Sequence, residues 1–527
     1  MKKTMKQHPF TSRLKSLALV FGIALAFASC ANEDIAQNPN GTDNNKNFTI
    51  FSTGDPATRT SMESNGAFYW EAGDKIWVKD DTGAWKQSSN APKEKTASFR
   101  FKVPGKFTET STYKVYYPGK NGNKNQVAIA ANQSQAVPNT TTHFGTSGDC
   151  GMADAAWSNT KNGFAFTLDH KAAYLLFLPR TSNTILHNCY LTKVEVNSDN
   201  DITSTYTLDP TTGELTGTGT GNQIIVSTVG SGTYANGFPL TNNATSAATN
   251  GAYAVIKPGT HILKIRYWVK DVATGTEGTI TKILSSATYD QNKYYNITAN
   301  LDVKNYDGDH YYMWDAQQQY WYGYEWTKHL PGNTGQPTLD GNSSSNYAQS
   351  NSDVSRWYHE GGVSGCFDAT QSCAGLPNVN EMSWYAAKGE PRWDEDELWT
   401  TMGHLYKGGM WFKKKSVLLA KGHYNSNTAF DGADWRRLNK TKTWFSSLTP
   451  PSAADAGNYF YLPALGSYEI FSNSSQLNHV GEIGNYWSSS AYPWDSRYAY
   501  YLNFFRGSIQ VFSWISRDKG FRVGTFE

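Results

Sequence analysis

Short runs of alternating apolar and polar residues recur between residues 47 and 303, and this feature constrains the fold most. Examples lie at residues 75–78, 97–101, 113–117 and 191–196, and glycine, proline, asparagine or aspartate bounds each run. A period of two places alternate side chains on opposite faces of a strand, and the bounding residues form turns. The pattern predicts a mainly β fold of the sandwich or barrel type.

The amino terminus has the features of an export signal. A basic segment precedes an apolar run over residues 17–27, and eleven residues are too few to span a bilayer of about 30 Å as a helix. Small residues then lead into Cys30, in a sequence that resembles a bacterial lipobox with an acylated cysteine. We expect a signal peptide over residues 1–29 and a flexible linker over residues 30–46. The alternative is an ordinary signal peptide with an accidental cysteine.

The resemblance to a lipoprotein implies a location at the outer membrane and cell surface. Glu33 and Asp34 follow the cysteine, as in the surface-export signal of Bacteroidetes lipoproteins. Two or three acyl chains anchor a protein stably, so the membrane is contacted through the lipid alone. The net charge of +2, with 17% charged residues, provides no basic field for nucleic acid.

Four cysteines remain beyond Cys30, and an exported chain permits disulfides. Four cysteines allow three pairings. The short interval between Cys366 and Cys373 favours a local bridge, which leaves Cys150 with Cys189. Zinc is the competing interpretation, but no CxxC spacing occurs and no histidine stands beside these cysteines at ligand spacing, so no metal site is predicted.

Two stretches in the first half of the chain resemble the fimbrillin family, the lipoprotein subunits of Bacteroidetes type V pili. One comprises A-T-R-T at residues 57–60 and W-E-A-G-D-K-I-W-V at residues 70–78, and the other is the closing strand at residues 293–301. The resemblance implies a two-lobed β-sandwich, with lobes over residues 47–185 and 186–304. Read alone, the W-E-A-G-D stretch is also typical of a strand, a turn and the next strand.

The fimbrillin resemblance also implies a mode of assembly. In that family a trypsin-like protease cuts after an early arginine, which removes the first strand and opens a groove for a strand of a neighbouring subunit. Here this implies cleavage between Arg59 and Thr60, loss of the strand over residues 48–53, and other fimbrillin subunits as partners. The alternative is that Arg59 is an exposed loop residue.

Composition changes after residue 303, since thirteen of the eighteen tryptophans lie beyond residue 305. Ordered motifs in this region resemble the "major paralogous domain" of Bacteroidetes and Fibrobacter, which is related in fold to C-type lectins. The resemblance implies an α+β lectin-like module over residues 305–527. The motifs are L-P-N-V-N-E-M-S-W at residues 376–384, G-N-Y-W-S-S at 484–489, A-Y-Y-L at 499–502 and G-F-R-V at 520–523.

Two helices are predicted in the module. Asn378 can cap a helix that continues through Glu381. A second helix is predicted over residues 394–406, with Leu398 and Leu405 at helical spacing. Its four acidic residues invite a calcium interpretation, but a helix dipole favours acidic residues in the first turn by about 0.3–1 kcal/mol each, which suffices without a metal.

The sequence favours a binding protein without a cofactor over an enzyme. H-E-x-x-H, G-x-S-x-G and phosphate-cradling glycine loops do not occur. Cys366 and Cys373 precede the L-P-N motif, whereas the cysteine-oxidising relatives of this module have their cysteines late in the chain. Sugar-binding C-type lectins use E-P-N or Q-P-D with W-N-D, and the sequence E-P-R at residues 390–392 departs from that set.

The best candidate for ligand contact is the loop over residues 491–498. Proline and aspartate interrupt the strand pattern there, so we expect Tyr492, Trp494, Arg497 and Tyr498 to be presented to solvent. Tyrosine, tryptophan and arginine dominate binding hot spots. The alternative is a hairpin tip that packs on its own domain.

Together these features predict an adhesive pilus tip subunit that carries a lectin-like module. The last residues, 521–527, are typical of the closing strand of a folded domain rather than of a donor strand, which favours the tip over the shaft. A glycan or another surface ligand on a host or bacterium is the expected target. The alternative is a surface glycan-binding lipoprotein that never polymerises.

Overall fold

The fold is mainly β, as the sequence predicts. The computed structural model describes residues 48–53, 61–62, 68–217, 219–306, 310–323, 355–356, 368–401, 403–471, 474–524 and 526–527. All of these described residues belong to one compact unit. No helix within the described ranges is both long and apolar enough to cross a bilayer.

The strands that precede residue 304 are mostly short. They are β1 (Phe48–Thr53), β2 (Ser61–Met62), β3 (Phe68–Tyr69), β4 (Trp77–Lys79), β5 (Trp85–Gln87), β6 (Arg100–Pro104), β7 (Tyr113–Tyr117), β8 (Gln126–Ala128), β9 (Asn132–Ser134), β10 (Gly151–Ser158), β11 (Gly163–Phe166), β12 (Asp169–His170), β13 (Ala173–Arg180), β14 (Cys189–Ser198), β15 (Thr205–Leu208), β16 (Leu215–Thr216), β17 (Gln223–Ser227), β18 (Phe238–Pro239), β19 (Ala252–Ile256), β20 (Gly259–His261), β21 (Leu263–Asp271), β22 (Glu277–Ile283), β23 (Ala287–Tyr289) and β24 (Tyr294–Asn300).

Longer strands and the helices complete the fold. The later strands are β25 (Tyr311–Tyr312), β26 (Arg392–Thr401), β27 (His404–Lys413), β28 (Lys442–Phe445), β29 (Tyr459–Pro463), β30 (Leu465–Phe471), β31 (Ser474–Val480), β32 (Ile483–Ala491), β33 (Tyr498–Phe505), β34 (Ser508–Ser516) and β35 (Phe521–Arg522). The helices are α1 (Phe144–Ser147), α2 (Ala247–Asn250), α3 (Val379–Lys388) and α4 (Lys415–Ala420).

β1 is an interior strand of the first sheet. The order of that sheet is β5, β4, β7, β10, β11, β1, β6, and β12 pairs with β10. β1 runs antiparallel to β6 and parallel to β11. Phe51 on β1 is fully buried, and its ring centroid lies 5.0 Å from that of Phe164 and 5.1 Å from that of Phe107. The strand has the bounds predicted for the first strand of the chain.

Two further sheets pack face to face around a hydrophobic core separate from the one that contains Phe51. One has the order β19, β13, β24, and the other has the order β29, β27, β26, β22, β21, β14, β17, β9 with β18 beside β14. Phe177 of β13 contacts Tyr267 of β21 across the core, with ring centroids 6.2 Å apart. Both side chains are buried, since alternate residues of these strands point inward.

The larger of these sheets crosses the predicted boundary at residues 304–305. β22 lies before that position and β26 lies after it, and the two strands pair in parallel with Thr279 opposite Glu397. The boundary at residues 185–186 also has partners on both sides, because β13 shares its sheet with β19 and β24. Both boundaries stay predictions.

The last sheet has a hydrophobic core on each face. Its order is β25, β35, β32, β33, β34, β28, and β30 pairs with β31 and β32. Tyr486 and Phe504 pack on one face together with Met382 of α3. Trp487 and Trp314 pack on the other face. The aromatic motifs of the carboxy-terminal region are therefore mostly interior, as expected for a sheet covered on both sides.

The first helix predicted in the module is confirmed. α3 spans Val379–Lys388, and Asn378 is its N-cap. The Asn378 side chain accepts from the Glu381 backbone N–H at 3.0 Å, and the Glu381 carboxylate accepts from the Asn378 N–H at 2.8 Å. This reciprocal capping box depends on local sequence alone.

The second predicted helix, over residues 394–406, is wrong. That segment forms the antiparallel strands β26 and β27. β26 lies between β27 and β22 in the sheet, and both faces of the strand are buried, since Leu398 packs in one hydrophobic core and Trp393 and Trp399 pack in another. A strand buried on both faces does not alternate, and its apolar residues fell by coincidence at helical spacing.

The structure contradicts the predicted bridge between Cys150 and Cys189. Both residues are free thiols in the hydrophobic core that contains Phe177 and Tyr267, where cysteine behaves as a small hydrophobic residue. Burial raises the pKa of both thiols, that of Cys189 to about 12. Cys373 is also a buried free thiol, while Cys366 lies outside the described residues.

Candidate functional site

The predicted ligand loop connects β32 to β33 and is closed by its own backbone. The Tyr492 N–H donates to the Tyr498 carbonyl at 3.1 Å, and the Tyr498 N–H donates to the Asp495 carbonyl at 3.3 Å. The Asp495 carboxylate also accepts from the Arg497 N–H at 3.0 Å. These bonds form a turn at the tip of a hairpin and fix the direction in which its side chains leave the backbone.

Tyr492 is packed rather than presented. Only 4% of its surface is exposed, so the expectation of an exposed side chain is wrong at this position. Its ring lies at the centre of an aromatic cluster, with centroids 6.3 Å from Trp494, 6.4 Å from Tyr498 and 6.5 Å from Trp514. Tyr492 therefore supports the surface rings from below.

Trp514 on β34 joins the loop to form an exposed aromatic surface. Trp494 is 63% exposed and Trp514 is 58% exposed. The ring of Tyr498 stacks beside that of Trp514, with an interplanar angle of 17° and a centroid distance of 6.1 Å. We call Trp494, Tyr498 and Trp514 the aromatic platform.

Sequence reasoning missed Trp514 because it lies sixteen or more residues beyond the loop that drew attention. The signal that could have located it is the two-residue period of β34. In the structure, residues 509, 511 and 513 are buried and residues 510, 512 and 514 point to the other face. Period-two alternation places the tryptophan on that outer face. The pairing of Tyr498 with Ser516 across β33 and β34 then brings Trp514 beside the loop.

A charged pair borders the platform. Arg497 Nε lies 3.0 Å from Asp495 Oδ1 and Arg497 Nη2 lies 2.7 Å from Asp495 Oδ2, which is the two-pronged geometry favoured by arginine and carboxylate. The hydrogen bonds from Arg497 lower the pKa of Asp495. The guanidinium also lies 5.3 Å from the Tyr498 ring centroid. These contacts therefore fix the orientation of the Arg497 side chain.

A buried arginine supports the loop from behind. Arg517 is 1% exposed, its backbone N–H donates to the Arg497 carbonyl at 2.9 Å, and its Nε donates to the Tyr498 carbonyl at 2.9 Å. Its guanidinium carbon lies 4.4 Å from the ring centroid of Trp314. The backbone of the loop is thus bonded to a buried side chain of the interior.

The second candidate site is the groove that holds β1. Phe51 of β1 lies opposite Phe101 of β6 on one side and Phe164 of β11 on the other. All three side chains are fully buried. Removal of β1 would leave two unpaired strand edges and a row of aromatic pockets. Arg59 and Thr60, the predicted cleavage residues, lie outside the described residues, as does Cys30.

Buried charged and polar side chains join β21 and β22 to β26. Arg266 Nη2 lies 2.9 Å from Asp394 Oδ1 and 2.9 Å from Thr279 Oγ1. The Glu397 carboxylate accepts from the Thr281 N–H at 3.0 Å and from the Thr281 hydroxyl at 2.6 Å. We call Arg266, Thr279, Thr281, Asp394 and Glu397 the junction cluster.

Within this cluster, the carboxyl group of Glu397 lies in an environment that disfavours its charged form. Burial, and secondly the charge of Asp394, raises the pKa of Glu397 to about 7, although the hydrogen bonds from Thr281 and the charge of Arg266 oppose the shift. Lys264 lies close by and donates from Nζ to the Pro451 carbonyl at 2.5 Å. Desolvation lowers the pKa of Lys264.

No cluster of three or more histidine, cysteine, aspartate or glutamate residues arranged to hold a metal ion occurs in the part of the chain that the structure describes. The acidic residues 394–397, which had invited a calcium interpretation, lie on β26. Asp394 and Glu397 are committed to Arg266 and the threonines, and Glu395 pairs with Arg506 at 3.2 Å on the surface.

The chain resembles solved fimbrial structures at low identity. A fimbrial protein from Bacteroides ovatus aligns over 90% of this chain and 98% of its own, with 10% identity and a TM-score of 0.27. The fimbrial anchor protein Mfa2 from Porphyromonas gingivalis aligns over 45% of this chain and 82% of its own, with 11% identity and a TM-score of 0.22. No family model matches the chain, and no curated protein matches it either.

Proposed function

We propose that this protein is a fimbrial subunit at the bacterial cell surface, assembled by strand exchange, whose carboxy-terminal module acts as an adhesin. The observation that carries the proposal is the position of β1. β1, the first strand that the structure describes, lies between β6 and β11 in the interior of a sheet, and the sequence after it contains Arg59.

The physical basis of assembly is the groove that β1 fills. Cleavage after Arg59 separates β1 from the rest of the chain, and dissociation of that strand exposes Phe101 and Phe164 together with two strand edges. Apolar surface and unpaired backbone groups both favour refilling by an extended strand. A neighbouring subunit supplies that strand in this proposal.

The remaining features determine where the subunit acts. Acylation of Cys30 tethers the chain to the outer membrane before cleavage, and cleavage at Arg59 releases the subunit from its anchor. The lectin-like module over residues 305–527 then occupies the distal position in the fimbrium, which makes the protein a tip subunit. The aromatic platform provides the surface that contacts a target.

Amino-terminal sequencing of the protein isolated from the cell surface tests this proposal. We expect a mature chain that starts at Thr60, and we expect Arg59→Ala to yield a chain that starts at Cys30 and stays out of fimbriae. Arg437→Ala is the matched control, since its side chain is 74% exposed and far along the chain. A wild-type chain that starts at Cys30 in purified fimbriae would contradict cleavage.

The aromatic platform also favours a second candidate function, a surface glycan-binding lipoprotein that never polymerises. Exposed tryptophans at a rigid loop serve binding equally well without assembly. Immunogold labelling separates the two functions: label confined to fimbrial tips supports the first, label along whole shafts contradicts the tip position, and label on the cell body alone supports the second.

A further inference from the structure

The exposure of tryptophan in this protein is concentrated at one place. Among the described tryptophans, Trp494 and Trp514 are the two with more than half of their surface exposed, and both contact the buried Tyr492. Elsewhere Trp314, Trp399 and Trp487 are buried, as is usual for so large an apolar side chain. We propose that the aromatic platform is a binding site for the pyranose rings of a neutral oligosaccharide. This inference deepens the proposed adhesin function and rests on it.

The size of the platform favours a sugar over a protein partner. An aromatic side chain carries about 150–250 Å² of surface, so the two tryptophans together offer roughly 200–300 Å². A stable protein interface needs about 800 Å² on each partner. The platform by itself falls well short of that area, whereas one or two sugar rings cover rings of this size with their apolar C–H faces.

The charges at the platform favour a neutral ligand. Arg497 and Asp495 neutralise each other through paired hydrogen bonds, so this exposed pair offers donors and acceptors for hydroxyl groups without a net charge of its own, and the further guanidinium at the loop, that of Arg517, is buried. The guanidinium of Arg497 lies over the Tyr498 ring, which disfavours a quaternary ammonium ligand at the same ring. Uncharged hydroxyl groups match this mixture of a stacking face and a polar rim.

The platform is also rigid, which reduces the entropic cost of binding. Arg517 binds the backbone of Arg497 and Tyr498, and the hydrogen bonds of the turn fix the loop. The stacking of Tyr498 beside Trp514 and the support of Tyr492 orient the rings. A preorganised stacking surface of this kind suits repeated, weak contacts with a polysaccharide.

The test uses the purified full chain on an array of neutral and acidic oligosaccharides, followed by titration calorimetry with the best neutral hexasaccharide. We expect binding to neutral glycans and a quench of tryptophan fluorescence. Trp494→Ala and Trp514→Ala should each weaken binding roughly tenfold to thirtyfold, as truncation of a hot spot does. Phe445→Ala is the matched control, because Phe445 is 92% exposed on β28 and lies outside the platform; its affinity should equal that of the wild type.

Each other outcome overturns the inference. Wild-type protein that binds no neutral glycan, or that binds only acidic glycans, contradicts it, and so does unchanged affinity in the Trp494→Ala, Trp514→Ala double variant. Melting temperatures within a few degrees of wild type show that the variants are folded. Fimbrial assembly and the mature amino terminus are measured on the same variants, so loss of glycan binding with normal assembly separates this inference from the proposed function.

Discussion

The strands β1 and β26 differ in the kind of side-chain contact that holds each of them in its sheet. β1 lies between β6 and β11 and buries the phenyl ring of Phe51 among other aromatic rings. β26 lies beside β22 with Thr279 opposite Glu397, and it buries Asp394 and Glu397 against Arg266 and threonine hydroxyls. One contact is apolar and the other is polar.

This difference determines how readily a different strand could occupy each position. Apolar burial has no direction and grows with area, so another strand with the same alternation can take the place of β1. A buried ion pair is specific, because a partner that lacks the matching charge leaves an unpaired charge in the interior. The apolar contacts of β1 thus suit the strand replacement that the proposed assembly requires, whereas β26 requires a partner with matching charges.

The largest expected effect comes from emptying the apolar groove. Phe51→Ala removes a fully buried ring and should lower the free energy of unfolding by about 3–5 kcal/mol. Denaturation in urea measures the loss. Phe48→Ala on the same strand is the control, since Phe48 is 39% exposed, and should cost less than about 1.5 kcal/mol. Equal losses in the two variants would contradict the interior position of β1.

A single substitution in the polar contact of β26 is expected to lower the free energy of unfolding nearly as much as Phe51→Ala does. Asp394→Ala leaves Arg266 buried without its carboxylate and should cost about 3 kcal/mol in urea denaturation. The double variant Arg266→Met, Asp394→Leu removes both charges and should recover most of that loss. A double variant as unstable as Asp394→Ala would show that packing, and not charge pairing, holds β26.

The contact of β26 should also make the free energy of unfolding depend on pH, through Glu397. The pKa of Glu397 is raised to about 7 from an ordinary value of 4.5, so the protonated form stabilises the fold. That contribution is complete below about pH 4.5 and is lost as the pH rises through 7. Between pH 5.5 and pH 8 the free energy of unfolding should fall by about 2 kcal/mol.

Two glutamates on β26 provide the test of this pH dependence. Glu397→Gln mimics the protonated carboxyl, so its stability should change little between pH 5.5 and pH 8. Glu395→Gln should behave as the wild type does, because Glu395 is exposed on the same strand. Thermal melts at the two pH values measure both variants, and a Glu397→Gln variant with the full wild-type dependence would assign the titration to another group.

The smallest effect on stability is expected at an exposed ion pair that involves β26. Arg506 pairs with Glu395 at 3.2 Å, but both side chains are about 60% exposed. Solvent screens such a pair, and Arg506→Ala should change the free energy of unfolding by less than about 1 kcal/mol. A loss comparable to that of Asp394→Ala would mean that burial does not distinguish the two ion pairs of β26.

Local features were predictable from the sequence, and features that depend on distant neighbours were not. The cap of α3 at Asn378 and the bounds of β1 follow from a few adjacent residues. β26 was predicted as a helix because both of its faces are buried, and this burial arises in a sheet that pairs it with β22, more than a hundred residues away in sequence. The side chain of Tyr492 turns inward because Trp494, Tyr498 and Trp514 cover it, and only the pairing of β33 with β34 shows this.

The junction cluster has a consequence for protein engineering. A chimera cut at residues 304–305 would graft a new module onto β22 and would separate Arg266 from Asp394 and Thr281 from Glu397. The graft would then need matching acids at both positions or would aggregate through an uncompensated interior charge. A transferable cassette should therefore carry β21 and β22 along with the module, even though these strands precede it in the chain.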